Sequence, residues 1–308
     1  MKEKYLKPAV IRQIARLDLK AKFIVEGFIS GLHKSPYKGF SVEFSEHRRY
    51  FPGDEISHID WGVWARTDKY YIKQFKAETN QMAYLVLDSS LSMAYQYRQE
   101  LSKLDYAISV AASLGYLMIH QQDSVGMVLF DEQIFQMVPP SSKRSHLIRL
   151  LRELARIQPS KPSSISHSLH QLADGIRKRG MILVFSDFIP SPSPQTKEDP
   201  IEKELQDLKL AFQHFRSKGH DVMVFQILDE SEACFSFSEP FIFKDPERGI
   251  KVEGHPSMKE DYLQTLKDYQ DRLRKLCLEE KMDFIALHTG ENFDKPLMSF
   301  LLHRKNRF

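Results

Sequence analysis

The chain has 308 residues, 42% of them apolar, which is too long for one minimal domain and enough for a large core with an appendage. Charge is nearly balanced at +3, but residues 1–80 hold 15 Lys and Arg against 10 Asp and Glu, so the basic surplus lies at the front, where a solvated face ranks ahead of a nucleic-acid surface. The two cysteines, Cys234 and Cys277, form no C-x-x-C pair and support neither a disulfide framework nor a cysteine zinc site, and no apolar run reaches membrane-spanning length.

The opening stretch, MKEKYLKPAVIRQIARLDLK, is too charged for a signal peptide, and a reducing, cytoplasmic setting is expected. Ile14, Leu17, Ala21, Ile24 and Phe28 recur at spacings of three and four, which predicts an amphipathic helix over 9–30. Residues 36–80 alternate aromatic and polar side chains, the pattern of β-hairpins. Within them Phe51-Pro52-Gly53-Asp54 is a turn signal, and Asp60 is placed to cap a short helix starting at Trp61. Residues 1–80 are therefore expected to be a helix plus a β-rich leader, and 81–308 a separate domain.

From residue 81 strands and helices alternate. Apolar runs predict strands at 82–88, 124–130, 180–188, 221–228 and in DFIALH near the end. The segment DEQIFQMVP follows 124–130 after a short turn and is expected to pair with it antiparallel. Helical patterns fill 101–121, 143–157, 165–178 and 201–217, and a terminal helix closes the chain. A Pro/Ser loop covers 190–200 and a β insertion about 231–256. Ser257 and Glu260 form a capping-box pattern opening a helix to about 281. Strands joined by crossover helices imply a three-layer α/β/α sandwich with a mostly parallel sheet.

In such sheets ligands bind beyond the carboxyl ends of the strands. There YLVLDSSLSM finishes a buried strand with Asp88 and then offers Ser90 and Ser92. One carboxylate and two hydroxyls are hard oxygen donors, suited to Mg²⁺ or Mn²⁺. A lone carboxylate leaves a divalent ion under-neutralised, so a second acidic group is expected, and Asp187 in VFSDF ends another buried strand. The loop KPSSISHSL offers a third hydroxyl, Ser163 first and Ser164 second. Asp and Ser also serve as ordinary turn and cap residues, so the D-x-S-x-S spacing gains its force from the company of Asp187 and Ser163.

Together DSSLSM, DSVGMVLF, PSSISHSL and ILVFSDF resemble a von Willebrand factor A-type domain with its metal-ion-dependent adhesion site. The resemblance implies metal positions at Asp88, Ser90, Ser92, Ser163 and Asp187, with Ser163 where such domains usually carry Thr. The upstream segment, with Gly53, Asp54, Ile59, Asp60 and Trp61, resembles the leader of the bacterial family called domain of unknown function 58. That resemblance implies association with a MoxR-type AAA+ ATPase.

The expected function is therefore a non-enzymatic interaction module. Mg²⁺, with Mn²⁺ or Ca²⁺ as substitutes, would dock an acidic side chain of such an ATPase or its client. No small-molecule substrate, nucleic acid or membrane span is expected. The alternative is a metal-dependent phosphohydrolase that uses Arg48 and Arg49 as a phosphate clamp. A clear nucleophile–base pair, the G-x-S-x-G elbow and the P-loop are absent from the sequence. His167 and His170 share a helix face, but lack a third zinc ligand and are expected to face solvent.

Overall fold

A computed structural model describes residues 20–22, 24–25, 47–50, 61–73, 82–190 and 199–307. The chain divides into two compact units, Met1–Ser30 with Gln81–Phe308, and Gly31–Asn80.

In the smaller unit β1 (His47–Arg49) pairs antiparallel with β2 (Tyr71–Lys73), with Arg48 opposite Ile72. Between them lies helix α1 (Trp61–Thr67). The Trp64 ring stacks on Tyr70 and meets Trp61 edge-on. The expected turn at Phe51–Asp54, the Asp60 cap, most of helix 9–30 and most of the Pro/Ser run lie outside the described residues. In the described part of that first helix, Ala21, Ile24 and Val25 are buried, as the apolar spacing requires.

The larger unit is built on a six-stranded sheet. Its strands are β3 (Met82–Asp88), β4 (Ser124–Phe130), β5 (Ile134–Ser141), β6 (Met181–Ser186), β7 (Asp221–Leu228) and β10 (Asp283–His288). Across the sheet the order is β10-β7-β6-β3-β4-β5, and every neighbour is parallel except β5, which runs antiparallel to β4. The strands β3, β4 and β6 are buried almost throughout, the mark of a sheet covered on both faces. At the edge, β5 carries Pro139 and Pro140, which lack the N–H that an interior strand needs on both sides. Gly126 sits at a register shift between β4 and β5, where a Cβ would come within 2.8 Å of the Val138 carbonyl oxygen.

Helices cover both faces. One layer holds α4 (Ile165–Gly175), α5 (Pro200–Ser217) and α7 (Lys259–Glu279), whose apolar sides bury Tyr84, Val86, Val128, Ile182, Val184 and Val224. The alternate strand residues, among them Leu85, Leu87, Met127, Leu183 and Phe225, are equally buried and point to the other layer. That layer holds α2 (Lys103–His120), flanked by α3 (Arg144–Leu154) and α8 (Asp294–Arg307). Fifteen of the 18 residues of α2 are buried, so it behaves as a core helix rather than an amphipathic one.

Between β7 and α7 comes the insertion: a short helix α6 (Glu230–Cys234) and a hairpin of β8 (Phe241–Lys244) and β9 (Lys251–Gly254). The entry to α7 differs from the sequence expectation. Ser257 does not cap it: Pro256 opens a 3-10 turn over Pro256–Met258, His255 accepts the Ser257 N–H through Nδ1, and Met258 becomes the uncapped first flank of α7. Proline at the first position favours that extra turn, and it moves Ser257 out of capping position.

The chain leaves β3 for β4 on one side, while β6 packs against the other. The loops after β3 and β6 therefore diverge, which makes the carboxyl edge between these strands the switch point of the sheet. Asp88 closes β3 and Asp187 follows β6, so both acidic residues lie at this switch point.

Candidate metal centre

Asp88 is fully buried. Its Oδ1 accepts the Ser90 N–H at 2.9 Å, an Asx-type turn that bends the chain straight out of the strand. Its Oδ2 accepts two hydroxyls from distant segments, Ser186 at 2.6 Å and Ser163 at 3.1 Å. The Oγ atoms of Ser90 and Ser92 are 3.0 Å apart. Asp88, Ser90, Ser92 and Ser163 thus form one hydrogen-bonded cluster of oxygen atoms.

Backbone stitching holds the loops in register. Ser89 donates its N–H and its hydroxyl to the Phe130 carbonyl at the end of β4. Leu91 donates to Lys161 O, and Ser160 donates to Ser89 O, so the loop after β3 and the loop before α4 pair directly. Buried Asp131 anchors the second loop: it accepts the Ser160 hydroxyl at 2.9 Å, and its carbonyl accepts the Ser164 N–H. Of the two candidate hydroxyls, Ser163 reaches Asp88, while Ser164 flanks the start of α4 without a side-chain cap bond.

Asp187 is buried too, but its carboxylate is already engaged. Oδ1 accepts the Ile189 N–H at 3.2 Å, and Oδ2 takes Lys103 Nζ at 2.8 Å. Lys103 is itself 1% exposed and also bonds Glu232 at 3.1 Å, across from the first turn of α6. Burial alone would push the lysine pKa down; the charges of Asp187 and Glu232 outweigh it and raise it, so the ammonium is held charged. Glu232 in turn is raised, by burial first, against the pull of Lys103. The second acidic group expected beside Asp88 is present, but as half of an ion pair rather than a free donor.

Burial and then the charge of Asp187 raise the Asp88 carboxyl to about 7, while bonds from Ser186 and Ser90 pull the other way. A carboxylate so placed gains most from a cation beside it. The donor set of Asp88, Ser90, Ser92 and Ser163 is all oxygen and fits a small hard ion such as Mg²⁺. It offers nothing to a soft metal. Among the described residues no group of three His, Cys, Asp or Glu side chains is arranged to hold a metal, so the hydroxyls are essential to any such site. His167 is exposed on α4, and His170 meets the ring of His214 on α5 instead of a metal-ligand set.

Ser186, Lys103 and Glu232 were not foreseen. Ser186 had a faint signal, a polar residue in a strand otherwise apolar. Lys103 had another: a cation in the first turn of a helix opposes the dipole and needs a carboxylate to hold it.

Comparison with known proteins bears on kinship. The sequence profile described as "Protein of unknown function DUF58" matches residues 46–275. The chain belongs to this DUF58 family. The DUF58 chain is 23% identical over 304 residues to the uncharacterized protein Rv1480 of Mycobacterium tuberculosis (strain ATCC 25618 / H37Rv), covering 97% of this chain and 90% of that protein. Mb1516 of Mycobacterium bovis (strain ATCC BAA-935 / AF2122/97), also uncharacterized, matches equally. Among solved structures it is similar to the conserved hypothetical protein BatB from Bacteroides thetaiotaomicron, at 17% identity and TM-score 0.46, over 74% of this chain and all of the other. An aerotolerance-related membrane protein from Bacteroides fragilis NCTC 9343 gives 18% and 0.46, over 72% and 97%. The SpRpn10 VWA domain gives 10% and 0.39, over 70% and 93%. Among the described residues no helix is long and apolar enough to cross a membrane.

Proposed function

We propose that this DUF58 protein is a non-enzymatic interaction module of the von Willebrand factor A type. Asp88, Ser90, Ser92 and Ser163 would hold Mg²⁺, with Mn²⁺ or Ca²⁺ as substitutes, and Asp187 would add negative charge from beside Lys103. The bound ion would supply an open position for one carboxylate of a partner. The chain's own part is to hold the oxygen atoms converged before the partner arrives, which lowers the ordering cost of binding.

The observation that carries this reading is the disposition of the hydroxyls. Each is aimed at a carboxylate or another hydroxyl, and the described bonds of Ser163, Ser186, Ser90 and Ser92 include no imidazole. That arrangement suits cation holding better than nucleophilic attack, which needs a base on the attacking oxygen. Lys103, which pairs with Asp187, is committed to two carboxylates and is not offered to a phosphate.

The partner we propose is a MoxR-type AAA+ ATPase or its client, and the setting the cytoplasm. The test uses the purified ATPase from the same organism and measures binding in Mg²⁺ and in EDTA, with wild type and Asp88→Ala. Binding should need the ion and vanish in the variant while circular dichroism stays unchanged. Binding indifferent to both would refute the reading. A phosphatase and nuclease screen in Mg²⁺ or Mn²⁺ covers the alternative: turnover lost in Asp88→Asn would replace the module with a phosphohydrolase.

A further inference from the structure

The β8–β9 hairpin ends in a tightly built turn. Asp245 accepts the N–H groups of Glu247 at 2.8 Å and Arg248 at 3.3 Å through Oδ1, and the Gly249 N–H through its carbonyl at 2.8 Å. Gly249 takes φ +71°, which closes the turn back onto Ile250. The base of the hairpin is equally fixed. Phe237 packs on Phe241 and Phe243, and Phe235 on Phe241 and Tyr262, with ring centroids 4.4–5.7 Å apart. Phe237 also meets Tyr97 at 5.0 Å, five residues beyond Ser92. The insertion is thus tied at its base to the loop that carries the D-x-S-x-S motif.

Its tip reaches the other side of the same site. Glu247 Oε1 accepts the Ser163 N–H at 3.3 Å, while the Ser163 hydroxyl is bonded to Asp88 Oδ2 at 3.1 Å. Two carboxylates from segments far apart in the chain therefore converge on one serine. A cation placed beside this serine would lie within the attraction of both carboxylates. The turn holds Glu247 half-buried at the rim, on the residue that completes the hydroxyl set.

We propose that Glu247 is the internal carboxylate of this centre: the hairpin tip fills, in cis, the position that a partner's acidic side chain would take. The inference rests on the reading of Asp88, Ser90, Ser92 and Ser163 as a cation site. It adds that the site is self-occupied and that a partner must displace the tip. The partner then has to present both a carboxylate and a surface that receives the lifted hairpin, on which Ile242 and Val252 are exposed.

Mn²⁺ tests this on the full chain, because the water-proton relaxation of bound Mn²⁺ counts exchanging waters. Wild type should bind Mn²⁺ and show no response to acetate. Glu247→Gln should bind Mn²⁺ with relaxivity raised by the increment of one exchanging water, and acetate should reverse that increment. Glu247→Asp, which keeps the charge and shortens the reach, should give the same increment. If both variants hold Mn²⁺ with wild-type relaxivity and no acetate response, Glu247 is only an anchor for the hairpin and the inference is overturned. If wild type takes up no Mn²⁺, or Asp88→Asn takes up as much, the cation reading itself fails first, and the two failures are told apart.

Discussion

Replacing Lys103 with Met removes the positive charge that pairs with both Asp187 and Glu232 and keeps much of the side-chain bulk. The contacts are 2.8 and 3.1 Å, and the lysine is 1% exposed. At an effective dielectric near 20 each contact is worth about 5–6 kcal/mol of gross Coulomb energy, most of it offset by the cost of burying the charges. What the variant loses is set by the carboxylates left behind, and stranding a buried partner costs about 3–5 kcal/mol. Urea unfolding at pH 7.5 should show that loss as a lower midpoint at unchanged slope.

The sign with pH follows from the stranded acids. Without the ammonium the burial that already raises Glu232 acts unopposed, so its folded pKa lies above the unfolded one, and the stability it contributes is present at low pH and is lost as pH rises through the folded value. The deficit should therefore shrink at pH 5. It should also shrink in Lys103→Met/Asp187→Asn/Glu232→Gln, where nothing is left to repel. A loss under about 1 kcal/mol, or a triple variant as unstable as the single one, would refute the account of Lys103 as a buried counter-ion.

Ser186→Ala deletes the shortest bond to Asp88, 2.6 Å, and should weaken Mn²⁺ binding by about 10- to 100-fold without abolishing it, measured by calorimetric titration. Glu204 has a buried carboxyl oxygen with no hydrogen bond, and burial and then Asp207 raise its pKa to about 7. Its ionisation in the folded state opposes folding, so wild-type stability should fall as pH rises from about 5 to 7.5. Glu204→Gln should flatten that fall and recover on the order of 1–3 kcal/mol at pH 8 in urea melts. Gly126→Ala forces a Cβ to 2.8 Å from Val138 O and 3.1 Å from the Tyr84 ring; thermal unfolding should report a loss of about 1–3 kcal/mol.

The sheet could be read from the sequence because its strands are apolar runs of six to eight residues cut off by Ser, Gly and Asp, and a strand buried on both faces has no other way to be written. The antiparallel edge showed in the short turn after β4. Asp88, Ser90, Ser92 and Ser163 were legible because their spacing and their place at element ends are local properties. The state of Asp187 was not: its partner Lys103 is 84 residues away, and Glu232 lies 129 residues from that lysine. A lysine near a helix start ordinarily reads as solvated, and only the packed sheet turns it inward. The capping pattern at Ser257 misled for a local reason, since Pro256 and His255 build a competing turn just upstream.

Asp88 meets Ser163 across 75 residues and Ser186 across 98. Closing loops of that length is slow, and it is completed only when β6 docks beside β3, with α2, α3 and α4 between them in the chain. The oxygen cluster is consequently complete only once the chain has folded through β6. A nascent or nicked protein that stops short of Ser186 carries the D-x-S-x-S loop but lacks the wall behind it. Under the proposed function, competence at this rim would report that the chain has folded through β6, which a partner would read in a single contact.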